Sequence, residues 1–582
     1  MRSDELARLA RTVARLRPAQ AAQRVRLRTQ RMALDHQVPL ARRWLLSGVM
    51  TGAKPGAGWP GWPAGFAPLD ARVWRCWPGG AALRGGEMRL LGVTRPLAPA
   101  DEQGMARWAE ADWAMAAAPL LWRFHLYYWD WAWALASWER PAQARAMFAA
   151  LWSSWRAAVP PGTGPAWHPY PAALRAWSFC GVYGVLVAGG PCAEPFRADL
   201  AVHAGFLRRS LETDVGGNHL VKNLKGLAGL AVFAADDALL AFALRRLHRQ
   251  LAVQVLPDGG HYERAPAYHC QVLGDLTDIA GLLRAAGRPE PAGLRDAIDA
   301  MRGWLAAVLT PPGDVPLLND GFPVSPELLG GLRPAEPPGG SLHLLRDTGL
   351  ARLAAGGWHL LADIGPPCPA ELPAHAHADT LGCVLHVDGE PLLIDTGTST
   401  YEAGPARDRE RSTAAHNTLE VDGRDSTEVW GAFRAGRRAR VSGVSADCCE
   451  GVLTVAAAHD GYRYLPGRPR HHRRWSLSPD GLRVDDTVTG RGRHRIVVRW
   501  HLAAGTHVRL VPGGAVITSR AGRLEVAITG TAGLTVTAGS ARAAAGYGAT
   551  VGVPVLAAAL DTELPVRIST DWRRAAPNGE PT

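Results

Sequence analysis

Three stretches of this 582-residue chain carry titratable and amide side chains where a plain core would take leucine. In DVGGNHLVKNLKGLAGLAVF (214–233), Asn218 and His219 follow a Gly-Gly pair and open a run with Leu220, Leu224 and Leu227 at helical spacing. Side chains at a helix N-terminus sit beside unpaired N–H groups and the positive end of the dipole, a place that favours an anion. Asn218 as a simple N-cap is the alternative. In LPDGGHYERAPAYHCQVLGDL (256–276), a second Gly-Gly pair precedes His261, Glu263 and Arg264, and Pro266 starts a helix bearing Tyr268 and His269. A tyrosine there serves as acid or base if nearby cations lower its pKa from about 10; otherwise its hydroxyl caps a neighbouring loop. In the third stretch, 373–423, His375, His377, Asp395 and His416 flank apolar strands. Imidazoles and a carboxylate are donors that zinc takes, although spacings this wide are not a metal signature by themselves.

These residues need elements to hold them. Apolar periodicity predicts helices over 142–157, 171–187, 220–233, 238–255 and 266–285, making 101–340 an all-helical domain. LTPPGDVPLLNDG (309–321) and RPAEPPGGSLH (333–343) cannot continue a helix, which sets a boundary near 340. Beyond it GCVLHVDG, PLLIDTG, NTLEVDG, RIVVRWHL, GAVITS and LTVTAG predict an antiparallel β-sandwich over 341–582. Residues 1–100 form a basic helical lead-in.

Charge is placed unevenly. The first 43 residues hold eleven arginines against Asp4, Glu5 and Asp35, so most of the net +11 lies there and the remainder is nearly neutral. A single basic segment, rather than a basic groove through the fold, argues against a nucleic-acid partner. It reads as an amphipathic helix laid on the body of the protein or on an anionic surface. Apolar runs stop short of the roughly 20 residues of a membrane helix, so no integral membrane segment is expected. Arginine also interrupts any secretory-type apolar stretch, which gives a cytoplasmic expectation with periplasm or cell surface left open. The eight cysteines show no CxxC pair and read as free thiols. Eleven of 22 tryptophans fall between Trp108 and Trp177. Singly most belong in a core, but as a cluster they raise the expectation of a carbohydrate cleft, since flat indole faces stack on sugar rings.

Seven motifs in order resemble the heparinase II/III-like polysaccharide lyases, a family that includes oligoalginate lyases. They are LWRFHLYYWDW (121–131), WHPYPAALRAWSF (167–179), GGNHLVKNLKGL (216–227), LPDGGHYERAPAYH (256–269), PLLNDG (316–321), HAHADTLGCVLHVDGEPLLIDTGTSTY (375–401) and RSTAAHNTLEVDGRD (411–425). The resemblance implies an α+β chain: an N-terminal (α/α) toroid, a C-terminal two-sheet antiparallel β-sandwich, and a cleft between them. It also implies a bacterial enzyme that cuts an acidic polysaccharide or oligosaccharide beside a uronic acid by β-elimination, leaving a 4,5-unsaturated end. By the same resemblance Asn218 neutralises the uronate carboxylate and His219 assists or acts as base. Tyr268 is the Brønsted acid, with the base role also open to it, and His375 lies near the +1 sugar. His377, Asp395 and His416 would hold a structural zinc. Tyr128, His269, Arg175 and Arg411 are further substrate contacts, the two arginines being equally open to structural ion pairs. The chemistry is coherent, because removing the C5 proton requires the neighbouring carboxylate charge to be offset. The alternative is a protein of the same fold that binds polysaccharide, or serves its biosynthesis, without turnover. A glycoside hydrolase would need two opposed carboxylates. The particular uronide, endo or exo action and oligomeric state are not readable.

Overall fold

The computed structural model describes residues 3–47, 59–75, 77, 79–333, 336 and 339–575. The periodic segments form helices Pro141–Ala158, Pro169–Leu186, Gly217–Phe233, Asp237–Gln254 and Pro266–Ala285. Three begin with proline, whose missing N–H is no loss in a first turn, and Asp236 caps a fourth by accepting from the Leu239 N–H at 2.9 Å. Helix Gly217–Phe233 is enclosed: every residue except His219 is buried. It packs against helices 169–186, 237–254 and 266–285, and a helix covered on all sides must be apolar all round. Gly226 permits the closest approach, since a Cβ there would lie 2.8 Å from the Ala173 carbonyl oxygen. The polar exceptions pair inside: Lys222 with Asp275 (2.6 Å), and Lys225 with Asp275 (3.0 Å) and Asp278 (2.7 Å).

The tryptophan cluster belongs to this core. Ten of the eleven are buried and Trp138 is half-buried, and Trp113, Trp129, Trp131 and Trp155 pack ring against ring. The expectation that the cluster as a whole marks a sugar cleft is thereby corrected. These large rings fill the space between helices.

Helix Pro326–Leu332 ends the helical half and strand Leu342–Leu345 begins the next. The expected boundary falls between them, with 334, 335, 337 and 338 of RPAEPPGGSLH outside the described residues. The second half is antiparallel throughout, in sheets of five, eight and four strands besides one small ribbon (429–435); a second ribbon, 87–96, lies before the helical domain. The five-stranded sheet (342–393) and the four-stranded sheet meet where Leu393 bridges Leu502 and the Ile394 N–H donates to the His501 carbonyl. Together they form one layer against the eight-stranded sheet, with Trp358, Trp475, Trp500 and Trp572 buried between. Alternation is clear in Arg470–Ser478, where every second residue is buried. The two-sheet sandwich implied by resemblance is thus present with one layer split in two.

The basic start folds as α1 (Ser3–Val13) and α2 (Pro18–Asp35). Helix α1 lies on the sheet domain: Arg11 donates to both carboxylate oxygens of Glu428 (2.8 and 2.6 Å), and Trp430 Nε1 donates to the Thr12 hydroxyl. Arg17, between the helices, pairs with Glu371. Helix α2 lies on the helical domain through Arg24 to Asp214 (3.5 Å) and Arg26 to the Arg209 carbonyl (3.1 Å). The pair straps one half of the molecule to the other.

Candidate active site

The site is built where the halves meet. From the helical side, Gly216 and Gly217 both take positive φ (72° and 56°) and deliver Asn218 and His219 into the first turn of helix 217–233. A Cβ on Gly217 would fall 1.9 Å from Glu263 Oε1, so no other residue leaves room. The anion at this helix start belongs to the protein itself. Glu263 accepts from the Asn218 backbone N–H (2.7 Å) and from its side-chain amide (3.0 and 3.2 Å). Asn218 is therefore not an N-cap. Its amide is turned to a buried carboxylate.

His375 comes from the sheet side and joins the two. Its Nε2 donates to Glu263 Oε2 and its Nδ1 to Asp320 Oδ2, both at 2.9 Å. Burial alone would lower its pKa; the hydrogen bonds and charges of the two carboxylates outweigh that and raise it to about 9. His375 is thus an imidazolium near neutral pH. Its ring stacks on Tyr268, centroids 3.8 Å apart. Tyr268 sits in the first turn of helix 266–285 and donates to the Tyr401 hydroxyl at 3.1 Å. Burial, then Tyr401 and Asp320, push its pKa well above the usual value, so the lowering by cations that a basic tyrosine needs is absent and the phenol stays protonated.

His219 faces its own carboxylate: Nδ1 lies 3.0 Å from Glu212 Oε1, and Glu212 Oε2 accepts from Asn223. Burial would lower the His219 pKa, but Glu212 raises it. Tyr170 covers the His219 ring at 4.5 Å and Tyr128 backs Tyr170 at 5.7 Å. Tyr128 is therefore one ring removed from His219, in the aromatic wall.

Three expected substrate contacts are placed elsewhere. Arg175 is wholly buried, bonded to His203 and to the carbonyls of Tyr127 and Ala166. Arg411 spends its guanidinium on the carbonyls of Ala376, Gly431 and Arg434. His269 is buried against Trp304 and bonded to the His261 N–H and the Met301 carbonyl. All three tie backbone together and present nothing to a cleft. The residues that motif reading passed over are the carboxylates that hold the site. Asp320 binds His375, His377 (2.9 Å) and, through both oxygens, Arg407, and these partners outweigh its burial and hold its pKa well below the usual range. Asp320 lies in PLLNDG and Glu263 three residues before Pro266. An acidic residue in an apolar, turn-rich motif was the available signal.

The group of His377, Asp395 and His416 is buried. His416 Nδ1 donates to Asp395 Oδ2 at 2.8 Å, and the His377 and His416 rings lie 5.2 Å apart. His377 Nδ1 and His416 Nε2 are both buried without a hydrogen-bond partner. Among the described residues no three His, Cys, Asp or Glu side chains stand together as a metal-holding group. The donor chemistry nevertheless fits zinc, with two partnerless imidazole nitrogens whose tautomers are fixed by Asp320 and Asp395.

A helical domain joined to an antiparallel sheet domain is a fold shared with several solved structures. Heparinase III aligns over 94% of this chain and 92% of its own at 14% identity, TM-score 0.72. A heparan sulfate lyase mutant from Pedobacter heparinus aligns over 96% and 90% at 15% identity, TM-score 0.60, and the chondroitin AC lyase of Streptomyces coelicolor over 92% and 82% at 14%, TM-score 0.53. The heparinase II/III N-terminus profile matches residues 189–330 and the heparinase II/III-like C-terminal profile residues 337–573. This chain belongs to the heparinase II/III-like family. It is also 29% identical over 276 residues to the FtsZ-localized protein C of Caulobacter vibrioides, a match to 45% of this chain and about half (47%) of that protein's length. Among the described residues no helix is long and apolar enough to cross a membrane.

Proposed function

We propose that this protein is a lyase that cleaves a uronic-acid-containing polysaccharide or oligosaccharide by β-elimination. The observation that carries the reading is the stack of protonated Tyr268 on the His375 imidazolium, beside Asn218 and His219. A uronate seated here has its carboxylate met by the Asn218 amide and the His375 charge, which stabilises the enolate-like species formed when C5 loses its proton. His219 in its neutral form is the base: Nδ1 donates to Glu212 and Nε2 takes the proton, so the rate rises as pH rises through its raised pKa. Tyr268, kept neutral, donates its proton to the departing O4, and such general acid help is worth about 10²–10⁴ in rate. Glu212, Glu263 and Asp320 are the carboxylates beside this chemistry, all held below the usual carboxylate range by their partners, which does not suit a hydrolase acid. Burial would raise the Glu263 pKa, but His375 and Asn218 hold it at about 2, whereas a hydrolase acid must stay protonated.

The test is absorbance near 235 nm with a panel of uronic-acid polymers and oligomers, wild type beside Tyr268→Phe. A rise with wild type that falls by about 10²–10⁴ in the variant is expected; an undiminished rise would remove Tyr268 from its role.

A second reading, binding without turnover, has its own support. Glu263 already occupies the Asn218 donors, and one relative bears a name taken from its localisation with FtsZ. Uronide binding with no absorbance change on any panel member would favour it. Under either reading we propose that zinc is held by His377 and His416 with Asp395, in a structural role. Zinc in the purified protein near one per chain, and a lower melting temperature after chelation, are expected.

A further inference from the structure

Beside Glu212, the carboxylate that holds His219, α2 closes over a cavity of about 300 Å³. Leu27 and Leu34 anchor the helix, and Arg24, Arg28 and Arg31 recur at i, i+4 and i+7, so they share one face and all three line the cavity. Arg24 is paired with Asp214. Arg28 and Arg31 have no hydrogen bond or ion pair among the described residues. The opposite wall carries Trp167, His168 and Glu212. Gln30 lines it as well, and Trp167 is only 6% exposed. Glu212 joins this cavity to the reacting centre, because the oxygen 3.4 Å from His168 is the one that holds His219.

Two unpaired guanidinium groups on one helix face, lining one cavity, complement the carboxylate of an acidic sugar. We propose that α2 builds a further subsite, in which Arg28 and Arg31 bind the carboxylate of an acidic sugar beyond the reacting one. The inference rests on the uronide reading of the neighbouring site. α2 is fixed to the helical domain at Asp214 and the Arg209 carbonyl, and the chain then crosses to Glu371 and Glu428 of the sheet domain. Leu372, next to Glu371, lies where it would touch a Cβ on Gly217, so the crossing passes directly outside Asn218.

The full-length protein carrying Tyr268→Phe, to block cleavage, is titrated with disaccharides and tetrasaccharides of unsulfated chondroitin, heparosan and mannuronate. It is compared with the same chain bearing Arg28→Glu and Arg31→Glu. Both arginines are exposed, so unchanged thermal melting is expected and is checked. A loss of about tenfold or more in tetrasaccharide affinity, with disaccharide affinity retained and with recovery in Arg28→Lys/Arg31→Lys, is the expected result. Equal tetrasaccharide affinity in both chains, or no binding of any of the three tetrasaccharides, overturns the subsite. Arginine-dependent binding without any 235 nm rise in wild type sinks the lyase reading and leaves the subsite standing; a rise with arginine-independent binding does the reverse.

Discussion

Two carboxylates, Glu263 and Asp320, decide what His375 and its neighbours can do. With both ring nitrogens donating, His375 has no lone pair with which to take a proton, and the proposed base is His219 in its neutral form. That role is tied to Glu212. Burial raises the Glu212 pKa, but His219, His168 and Asn223 outweigh it and bring it to about 2, while His219 is raised. The carboxylate's share of stability is present above its ordinary 4.5 and lost as pH falls toward 2. The imidazole's share is full below 6.5 and lost as pH rises through its raised value. Glu212→Gln should therefore cost more stability at about pH 5.5 than at about pH 9, read from urea midpoints; equal costs would mean the pair is not ionised. Asp320→Asn leaves Arg407 and two imidazoles around a neutral amide, and losing one partner of a buried ion pair costs about 3–5 kcal/mol, visible as a lower melting temperature. At this scale the sequence shows Asn218, His219 and Tyr268 by their glycine and helix-start settings, and His375 by its place beside His377 before an apolar strand. It hides the true partners of Arg175 and Arg411, because backbone carbonyls carry no residue type.

Helices were legible because a period of 3.6 is local, and Gly217–Phe233 shows it most plainly. Its tight contact is less legible, since only the fold reveals that Gly226 meets Ala173. Gly226→Val should destabilise by about 1–3 kcal/mol through overpacking, measured by denaturant unfolding. Strands such as Arg470–Ser478 also announce themselves by alternation, whereas the split of one sandwich layer into five and four strands depends on a join, Leu393 to Leu502, more than a hundred residues apart in sequence. The arginines of α1 and α2 were visible as charge. Their distribution between two domains was not, as it depends on where Glu371, Glu428 and Asp214 come to lie. Glu428→Ala removes the acceptor shared by Arg8, Arg11 and Arg437, and faster amide exchange over residues 3–13 with an almost unchanged melting temperature is expected.

On the scale of the molecule, the site has no existence in either half alone. Asn218, His219, Glu263 and Tyr268 come from helices and turns before the boundary, His375 and Tyr401 from loops after it, and Asp320 from the Pro/Gly-rich passage that leads there. Order along the chain exposes these residues but not their meeting point, which long-range docking creates. This arrangement makes activity an indicator of assembly. Residues 1–333 and 339–582 produced as separate polypeptides should each be silent, and any signal regained on mixing would count the halves that have found one another.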